Sequence, residues 1–267
     1  SLAEFADDVV PAVTDIEAPA LEEVERDLKE SGCPSVLSVQ TDVSLYTDVQ
    51  ELARQTAAMY GKVHMLFNNA GVILDKKIWE YEMNDWDWII GVDLYGVIHG
   101  VKAFLPIMEN EHEGAYIINT ASLAGFISSP TIGAYKVAKH GVVAFTEVLY
   151  YDLASVDSKI RVSLLAPSWS NTAIRDSNKR RPDRFVSSDT HDAVYEHIVA
   201  RDAEVRAKIT DGMSPDDIAD FTFDAVRDSR FYVFPEEKEA RERISDRMRT
   251  IIDAKSPVIV PHLFPKN

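Results

Sequence analysis

The chain has 267 residues, of which 46% are hydrophobic, and this is enough to bury one substantial core. A formal net charge of −16 would repel phosphate backbones and anionic lipid, so neither nucleic acid nor a membrane is predicted as a partner. The single cysteine, Cys33, suits a reducing compartment. The sequence contains no signal peptide and no apolar run of membrane length, so we expect a cytoplasmic protein.

Short apolar runs alternate with amphipathic stretches along the chain. The strand-like runs cover 9–14, 36–40, 63–67, 115–120, 160–165 and 231–234. The helix-like stretches cover 18–30, 47–60, 85–108, 134–154 and 215–228, with Ser44 and Ser214 placed to cap two of them. This alternation predicts an α/β protein, with one doubly wound Rossmann-type domain over 1–267 and helices on both faces of a mostly parallel sheet.

Two stretches depart from this alternation. Residues 170–196 are polar and aperiodic, which predicts a mobile loop with short helices where a substrate lid would lie. Its basic run Lys179-Arg180-Arg181 is compatible with an anionic ligand, but so short a run in an acidic protein favours solvated surface. Residues 236–255 predict a helix that packs by the face of Ile244, Met248, Ile251 and Ile252, within a C-terminal helical extension over 236–267.

The residues that carry chemistry begin with Tyr135 and Lys139. A spacing of four on a helix puts both side chains on one face, where a cation favours the phenolate and moves the pKa of Tyr135 towards neutrality. Such pairs also occur by chance on exposed helices. Ser122 lies at the carboxyl end of a predicted strand, where open α/β sheets bind ligands, and its hydroxyl can hydrogen-bond a substrate oxygen. No metal site is predicted.

Four motifs stand in a fixed order along the chain. They are Asn68-Asn69-Ala70-Gly71, Thr120-Ala121-Ser122, the pentad from Tyr135 to Lys139, and Ala166-Pro167. In this order they resemble the short-chain dehydrogenases/reductases, and the resemblance runs over about residues 1–234. It implies hydride transfer between a nicotinamide and a secondary alcohol or ketone. Tyr135 would be the acid/base, Lys139 would hold the nicotinamide ribose, and Ser122 would position the substrate oxygen.

Cofactor choice is indicated by Asp15, which ends a predicted strand. A carboxylate there accepts hydrogen bonds from a ribose 2′-hydroxyl and repels a 2′-phosphate, favouring NAD over NADP. Alternatively, Asp15 and Asp42 only cap helices. The resemblance implies that Asp42-Val43 contacts adenine. It implies further cofactor contacts from Ile16, Asn69, Ala70, Gly71, Pro167 and Thr172, besides Tyr135 and Lys139.

The sequence also departs from the family pattern. No Gly-x-x-x-Gly-x-Gly turn and no strand before it stand near the N-terminus, so we expect the first strand and its phosphate-binding turn to be missing from this sequence. Asp93 stands where many relatives have an asparagine that holds a water in the proton relay, and it either serves similarly or braces its helix. Ser168 replaces a glycine after Pro167, whereas Thr172 matches the threonine that contacts the carboxamide.

The resemblance extends to substrate and assembly. The extension after Pro235 resembles the tails of members that act on bulky aromatic alcohols, which implies an apolar or aromatic substrate. The helices over 85–108 and 134–154 match those that build a four-helix interface, implying a homodimer or homotetramer. A non-catalytic dinucleotide-binding regulatory relative, or a purely structural subunit, is the alternative. The joint presence of Ser122, Tyr135 and Lys139 favours the enzyme.

Overall fold

The computed structural model describes residues 9–109, 114–186 and 205–257. Its strands are β1 (Ala12–Asp15), β2 (Leu37–Gln40), β3 (Met65–Asn68), β4 (Ala115–Thr120), β5 (Ile160–Leu165) and β6 (Tyr232–Val233). Every ladder between them is parallel. The strands alternate with helices, so the α/β class predicted from the sequence is confirmed.

The helices are α1 (Ala18–Glu30), α2 (Tyr46–Tyr60), α3 (Met83–Ile90), α4 (Gly96–Met108), α5 (Gly133–Ser155), α6 (Pro215–Arg227) and α7 (Glu237–Ile252). A π-helical turn, Gly91–Tyr95, joins α3 to α4. Three short 3₁₀ helices cover Leu123–Gly125, Ala173–Arg180 and Asp183–Phe185. The predicted helix over 85–108 is therefore two α-helices joined by a wider turn.

The strands form two sheets, not the single sheet that was predicted. One sheet has the order β1-β2 and the other β3-β4-β5-β6. In the part of the chain that the structure describes, β1 and β3 each have a strand on one side only. At this edge of β3 the apolar side chains of Met65 and Phe67 are 37% and 43% exposed. The predicted sheet is divided because no described strand pairs with β1 and β3 to join them.

The central strands β4 and β5 are covered on both faces. Ile117 packs into a cluster with side chains of α2, α4 and α5, including Phe104 and Leu149. The next residue, Ile118, packs on the opposite face against Ala225 of α6. Successive side chains of a strand point to opposite faces, so this alternation gives the doubly wound arrangement.

The helix ends agree with the predictions in part. Ser214 caps α6, its hydroxyl accepting a hydrogen bond from the Asp217 N–H at 3.1 Å. Ser44 does not cap α2, because its hydroxyl donates to Asp42. In α7 only Ile244 of the predicted apolar face packs against the core, and Ile252 is 79% exposed. That prediction is wrong for the second half of α7, because the helix docks through its first half, where Ala240 is buried.

The helical stretch Met83–Met108 is long and apolar enough to cross a membrane, with a mean hydropathy of 1.4 over its most apolar window. This corrects the expectation that no stretch approaches that length. More than half of the window, 56%, is buried inside the protein, and buried core helices meet the same criterion.

We predict that Gly100→Ala destabilises the contact between α4 and β3. A Cβ at position 100 would stand 1.9 Å from Oδ1 of Asn68, whose amide donates to Asn119 at 2.8 Å. Overpacking of this kind typically lowers the free energy of unfolding by about 1–3 kcal/mol. In Gly141→Ala the added Cβ meets only Leu94 methyl carbons, at 3.0 Å, so urea unfolding should show a smaller loss. Equal stability of the two variants would contradict the prediction.

Candidate active site

The candidate site lies at the carboxyl ends of β3, β4 and β5, which meet at one edge because the strands are parallel. Asn69 follows β3, and its Oδ1 accepts a hydrogen bond from Thr120 Oγ1, at the end of β4, at 2.9 Å. Ser122 follows β4 and Pro167 follows β5. Open α/β sheets bind ligands at this edge.

Ser122 is held between a turn and a neighbouring strand end. It is the N-cap of the 3₁₀ helix Leu123–Gly125, and its Oγ accepts from the Ala124 N–H at 3.1 Å. The same hydroxyl donates to the Pro167 carbonyl at 3.3 Å. These contacts fix the position of the hydroxyl beside Tyr135.

Tyr135 and Lys139 lie one turn apart near the start of α5, and both are buried. The Lys139 ammonium nitrogen is 5.6 Å from the centroid of the Tyr135 ring. It donates a hydrogen bond to the Thr120 carbonyl at 3.0 Å. The structure therefore places the predicted pair together with the end of β4.

Asp93 lies in the π-helical turn and has no exposure to solvent. Its Oδ1 accepts a hydrogen bond from the Val72 N–H at 2.7 Å. A Cβ at Gly71 would stand 3.6 Å from the Lys139 ammonium and 3.7 Å from Asp93 Oδ1, which puts these two charged groups beside the same backbone. Burial raises the pKa of Asp93 to about 6, against the opposing effects of Lys139 and of the Val72 N–H.

The electrostatics of Tyr135 differ from the prediction. Burial, together with the charge of Asp93, raises the pKa of Tyr135 above its ordinary value, and only the Ser122 hydroxyl opposes this shift. For Lys139 burial has the opposite effect and lowers the pKa, although the charge of Asp93 acts against this shift. The predicted lowering of the tyrosine pKa by Lys139 is not found, because burial and the Asp93 charge raise this pKa.

The residues predicted to contact adenosine lie at the ends of β1 and β2. Asp15 Oδ1 accepts from the Glu17 N–H at 2.9 Å, a local turn before α1. The Ile16 carbonyl accepts from the Gln40 amide at 2.8 Å. The Val43 carbonyl lies 2.9 Å from Nδ1 of His99. Asp15 therefore closes a turn before α1 but does not cap this helix, whose N-cap is Glu17 without a side-chain cap hydrogen bond.

Two further predicted residues follow β5. The Pro167 carbonyl accepts from the Leu123 N–H at 2.9 Å, which joins the ends of β4 and β5. Thr172 is exposed and precedes the 3₁₀ helix Ala173–Arg180 as its N-cap. The predicted loop over 170–196 is thus partly helical up to 186, and its residues 187–196 lie outside the described residues.

Residues 173–185, which we call the arginine segment, contain contacts that the sequence did not reveal. Each of its four arginines pairs with a carboxylate elsewhere in the chain: Arg175 with Asp75, Arg180 with Glu17, Arg181 with Asp85 and Arg184 with Asp42. The basic run was expected to be solvated surface. This is so for Lys179, whose side chain is 77% exposed, but it is wrong for Arg181, whose side chain is 9% exposed.

The C-terminal extension also reaches the loop after β5. Glu236 accepts a hydrogen bond from the Ser168 N–H at 3.1 Å, and Glu239 accepts one from the Ser168 hydroxyl at 3.2 Å. Burial raises the pKa of Glu236. The serine that replaces a family glycine is therefore held by α7, a contact between residues about 70 positions apart that no local pattern indicates.

Comparison with known proteins identifies the class. A family model described as short chain dehydrogenase matches residues 4–183. The CLA biosynthesis dehydrogenase/reductase of Lactiplantibacillus plantarum is 32% identical over 247 residues, which is 92% of this chain and 85% of that protein. The NADP-dependent (R)-specific alcohol dehydrogenase of Lentilactobacillus kefiri is 31% identical over 54% of this chain and 59% of its own length.

A solved structure gives the same result. The crystal structure of a short-chain dehydrogenase/reductase from Burkholderia phymatum in complex with NAD is similar with a TM-score of 0.88 and 36% identity, over 93% of this chain and 87% of that one. The fold and the matches together define a Rossmann-like oxidoreductase. The chain belongs to the short-chain dehydrogenase/reductase family, whose members act on small-molecule substrates.

We predict that Asp93 makes stability depend on pH. Its pKa in the folded protein, about 6, lies above the ordinary pKa of 3.8 for an aspartate, so the folded state binds the extra proton and stability falls as pH rises from about 4 to about 6. A shift of this size corresponds to about 3 kcal/mol. Asn does not titrate, so urea unfolding at successive pH values should show the unmodified protein losing stability relative to Asp93→Asn across that window. Parallel pH profiles of the two proteins would contradict the assignment.

Proposed function

We propose that the protein is an NAD-dependent oxidoreductase that transfers a hydride between NAD and a secondary alcohol or the matching ketone. The observation that carries this proposal is the convergence of Ser122, Tyr135 and Lys139 at one sheet edge in a chain of this family. The alternative, a non-catalytic dinucleotide-binding relative, gives no reason for a hydroxyl, a phenol and an ammonium to meet there.

Each side chain has a distinct part in the proposed reaction. Tyr135 exchanges the proton of the substrate oxygen, and Ser122 hydrogen-bonds that oxygen as its charge changes. Lys139 holds the nicotinamide ribose. Asp93 keeps a charge beside Lys139 and fixes the loop after β3 through Val72, whether or not it also holds a relay water.

The proposed cofactor is NAD, which would accept or supply the hydride. The Lys139 ammonium fits such a group, because it has three N–H donors and lies beside the backbone of Gly71 at the sheet edge. Asn69, Ala70, Pro167 and Thr172 would line the nicotinamide half. Asp15, Ile16, Asp42 and Val43 would bind adenosine. The relative in complex with NAD supports this choice, whereas another relative is NADP-dependent, so the carboxylate of Asp15 is the feature that favours NAD.

The pyrophosphate contacts are part of the same proposal. We propose that a strand carrying the glycine-rich turn pairs with the edges of β1 and β3 that have no partner among the described strands. The apolar side chains of Met65 and Phe67 at that edge support it, since an exposed apolar strand edge is otherwise a site for aggregation.

The proposed substrate is apolar or aromatic, and the proposed location is the cytoplasm, where a free buried thiol such as Cys33 stays reduced. We also propose a homodimer or homotetramer, because Tyr95, Val148 and Tyr151 stay exposed on the π turn and α5. A molecular mass of one chain by light scattering at micromolar concentration would contradict this assembly.

The reaction is tested by Tyr135→Phe, which keeps the ring but removes the group that exchanges the proton. Turnover of secondary alcohols by the full-length protein should fall about 100-fold or more, while NADH binding followed by fluorescence changes little. Ser122→Ala should lower turnover about 100-fold. Lys139→Ala should weaken both turnover and binding.

The matched control is Tyr232→Phe, which also removes a hydrogen-bonded phenol hydroxyl, but one that donates to Glu147 away from the site. It should leave turnover unchanged. Near-normal turnover by Tyr135→Phe would contradict the proposed chemistry. If the unmodified protein bound NADH but turned over no alcohol, the regulatory alternative would be favoured.

Cofactor preference is tested at Asp15. Asp15→Ala should relax the preference for NAD over NADP by removing the carboxylate, and Asp15→Asn should do so while keeping the acceptor for the Glu17 N–H. Asp27→Ala, at an exposed carboxylate on the α1 helix that follows, removes an equal charge and should leave the ratio of kcat/KM values unchanged. Equal use of both cofactors by the unmodified protein would overturn the role of Asp15.

A further inference from the structure

A group of five charged side chains lies where the arginine segment meets the loop after β3 and the start of α3. Asp85 accepts from Lys76 Nζ at 2.7 Å and from Arg181 Nη1 at 2.6 Å. Arg175 pairs with Asp75 at 3.3 Å. The charges of Asp75 and Asp85 both act on Tyr81, where burial is the main cause of a raised pKa, so the two pairs are neighbours.

The charges around Asp85 do not balance, because this carboxylate alone serves both Lys76 and Arg181. Burial would raise the pKa of Asp85, yet hydrogen bonds from Lys76, the Glu82 N–H and Arg181 hold it below its ordinary value, so the carboxylate is ionised. Two cations therefore share one negative charge at Asp85, in a protein whose net charge is −16. A buried charge is unfavourable unless a partner compensates it.

The excess charge lies on Arg181. Its side chain is 9% exposed, and its Nε and Nη2 atoms are buried with no hydrogen-bond partner among the described residues. These two nitrogens form one edge of the guanidinium, the edge that binds a carboxylate with two parallel hydrogen bonds. Asp85 contacts only Nη1. The edge that suits a planar anion therefore has no hydrogen-bond partner in the described part of the chain.

The Arg181 guanidinium packs against the apolar cluster that contains Tyr135. The Arg181 guanidinium lies over the Trp88 ring at 5.0 Å from its centroid, and Trp88 packs in the same buried cluster as Tyr135. The Lys76 N–H donates to the carbonyl of Thr131 at 2.8 Å, just before α5 begins. Tyr81 donates to that carbonyl at 3.1 Å. The residues around Arg181 are thus connected by hydrogen bonds to the start of α5.

We propose that Arg181 binds a carboxylate of the substrate, so that the substrate class is secondary hydroxy acids, or keto acids, with an apolar body. The inference rests on the proposed function for the alcohol carbon, but the anion site stands on its own contacts. The apolar body would lie against the cluster that contains Trp88 and Tyr135, and the carboxylate would neutralise the excess charge. Lys179, two positions away and solvated, takes no part.

Binding is tested with octanoate and 1-octanol, which share an apolar chain and differ in the head group, by calorimetry on the full-length protein with NAD. Octanoate should bind about 10-fold more tightly or better. Arg181→Met keeps an aliphatic stem over Trp88 and leaves Lys76 on Asp85, so it should weaken octanoate about 10- to 100-fold and 1-octanol by less than about two-fold. Lys179→Met removes a positive charge from an exposed position of the same segment, and it should bind both ligands as the unmodified protein does.

Arg181→Lys keeps the charge but not the two-pronged edge, so its octanoate affinity should be intermediate. Equal binding of octanoate and 1-octanol by the unmodified protein would overturn the proposal. So would an equal loss of both ligands in Arg181→Met, which would make Arg181 a structural residue only.

Turnover separates this proposal from the proposed function. Secondary hydroxy acids should be oxidised with a higher kcat/KM than their methyl esters, and Arg181→Met should lower the ratio of these two kcat/KM values to about one. Oxidation of acids and esters at equal rates, with no preference for octanoate, would refute the anion site and leave the reaction standing. Arg181-dependent octanoate binding without oxidation of any alcohol would support the anion site and refute the reaction.

Discussion

A carboxylate without access to water, Asp93, is the group on which the rest of the site depends. It accepts the N–H of Val72 after β3, it lies in the turn between α3 and α4, and its charge opposes the effect of burial on Lys139 of α5. Each of these charges alone would be strongly unfavourable in the interior. The carboxyl end of β3 and the start of α5 are therefore held together by electrostatic attraction as well as by apolar packing.

The arginine segment divides into a buried end and an exposed end. Arg175 and Arg181 are nearly inaccessible to water, whereas Arg180 and Arg184 reach Glu17 and Asp42 at the surface. Exposed ion pairs contribute about 0–1 kcal/mol and weaken with salt, whereas breaking a buried pair leaves an uncompensated charge. The segment is thus anchored beside Tyr135 and attached weakly near the strand ends that we assign to adenosine.

Local patterns predicted much of the fold. The bounds of α1, β4 and β5 agree with the sequence, and β4 and β5 are recognisable because they are rich in apolar residues and buried at most positions. The order of motifs also predicted that Ser122, Tyr135 and Lys139 would meet. The π turn was missed because its residues fit an α-helix equally well, and the pair of Arg181 with Asp85 was missed because 96 positions separate the partners. Contacts of that range depend on the tertiary fold and leave no periodic signal.

The raised pKa of Tyr135 sets a condition on the proposed reaction. A phenol whose pKa lies above its ordinary value keeps its proton at neutral pH, which suits donation to a ketone oxygen. Alcohol oxidation needs a phenolate that accepts a proton, so the pKa of Tyr135 has to fall when the reactants bind. Lys139 donates a hydrogen bond to the Thr120 carbonyl and interacts with the charge of Asp93. The group that already lowers the pKa of Tyr135 is therefore the Ser122 hydroxyl. Ser122 would then act on the phenol as well as on the substrate oxygen, and its single proton, which the Pro167 carbonyl accepts in this structure, would have to leave that carbonyl for either contact.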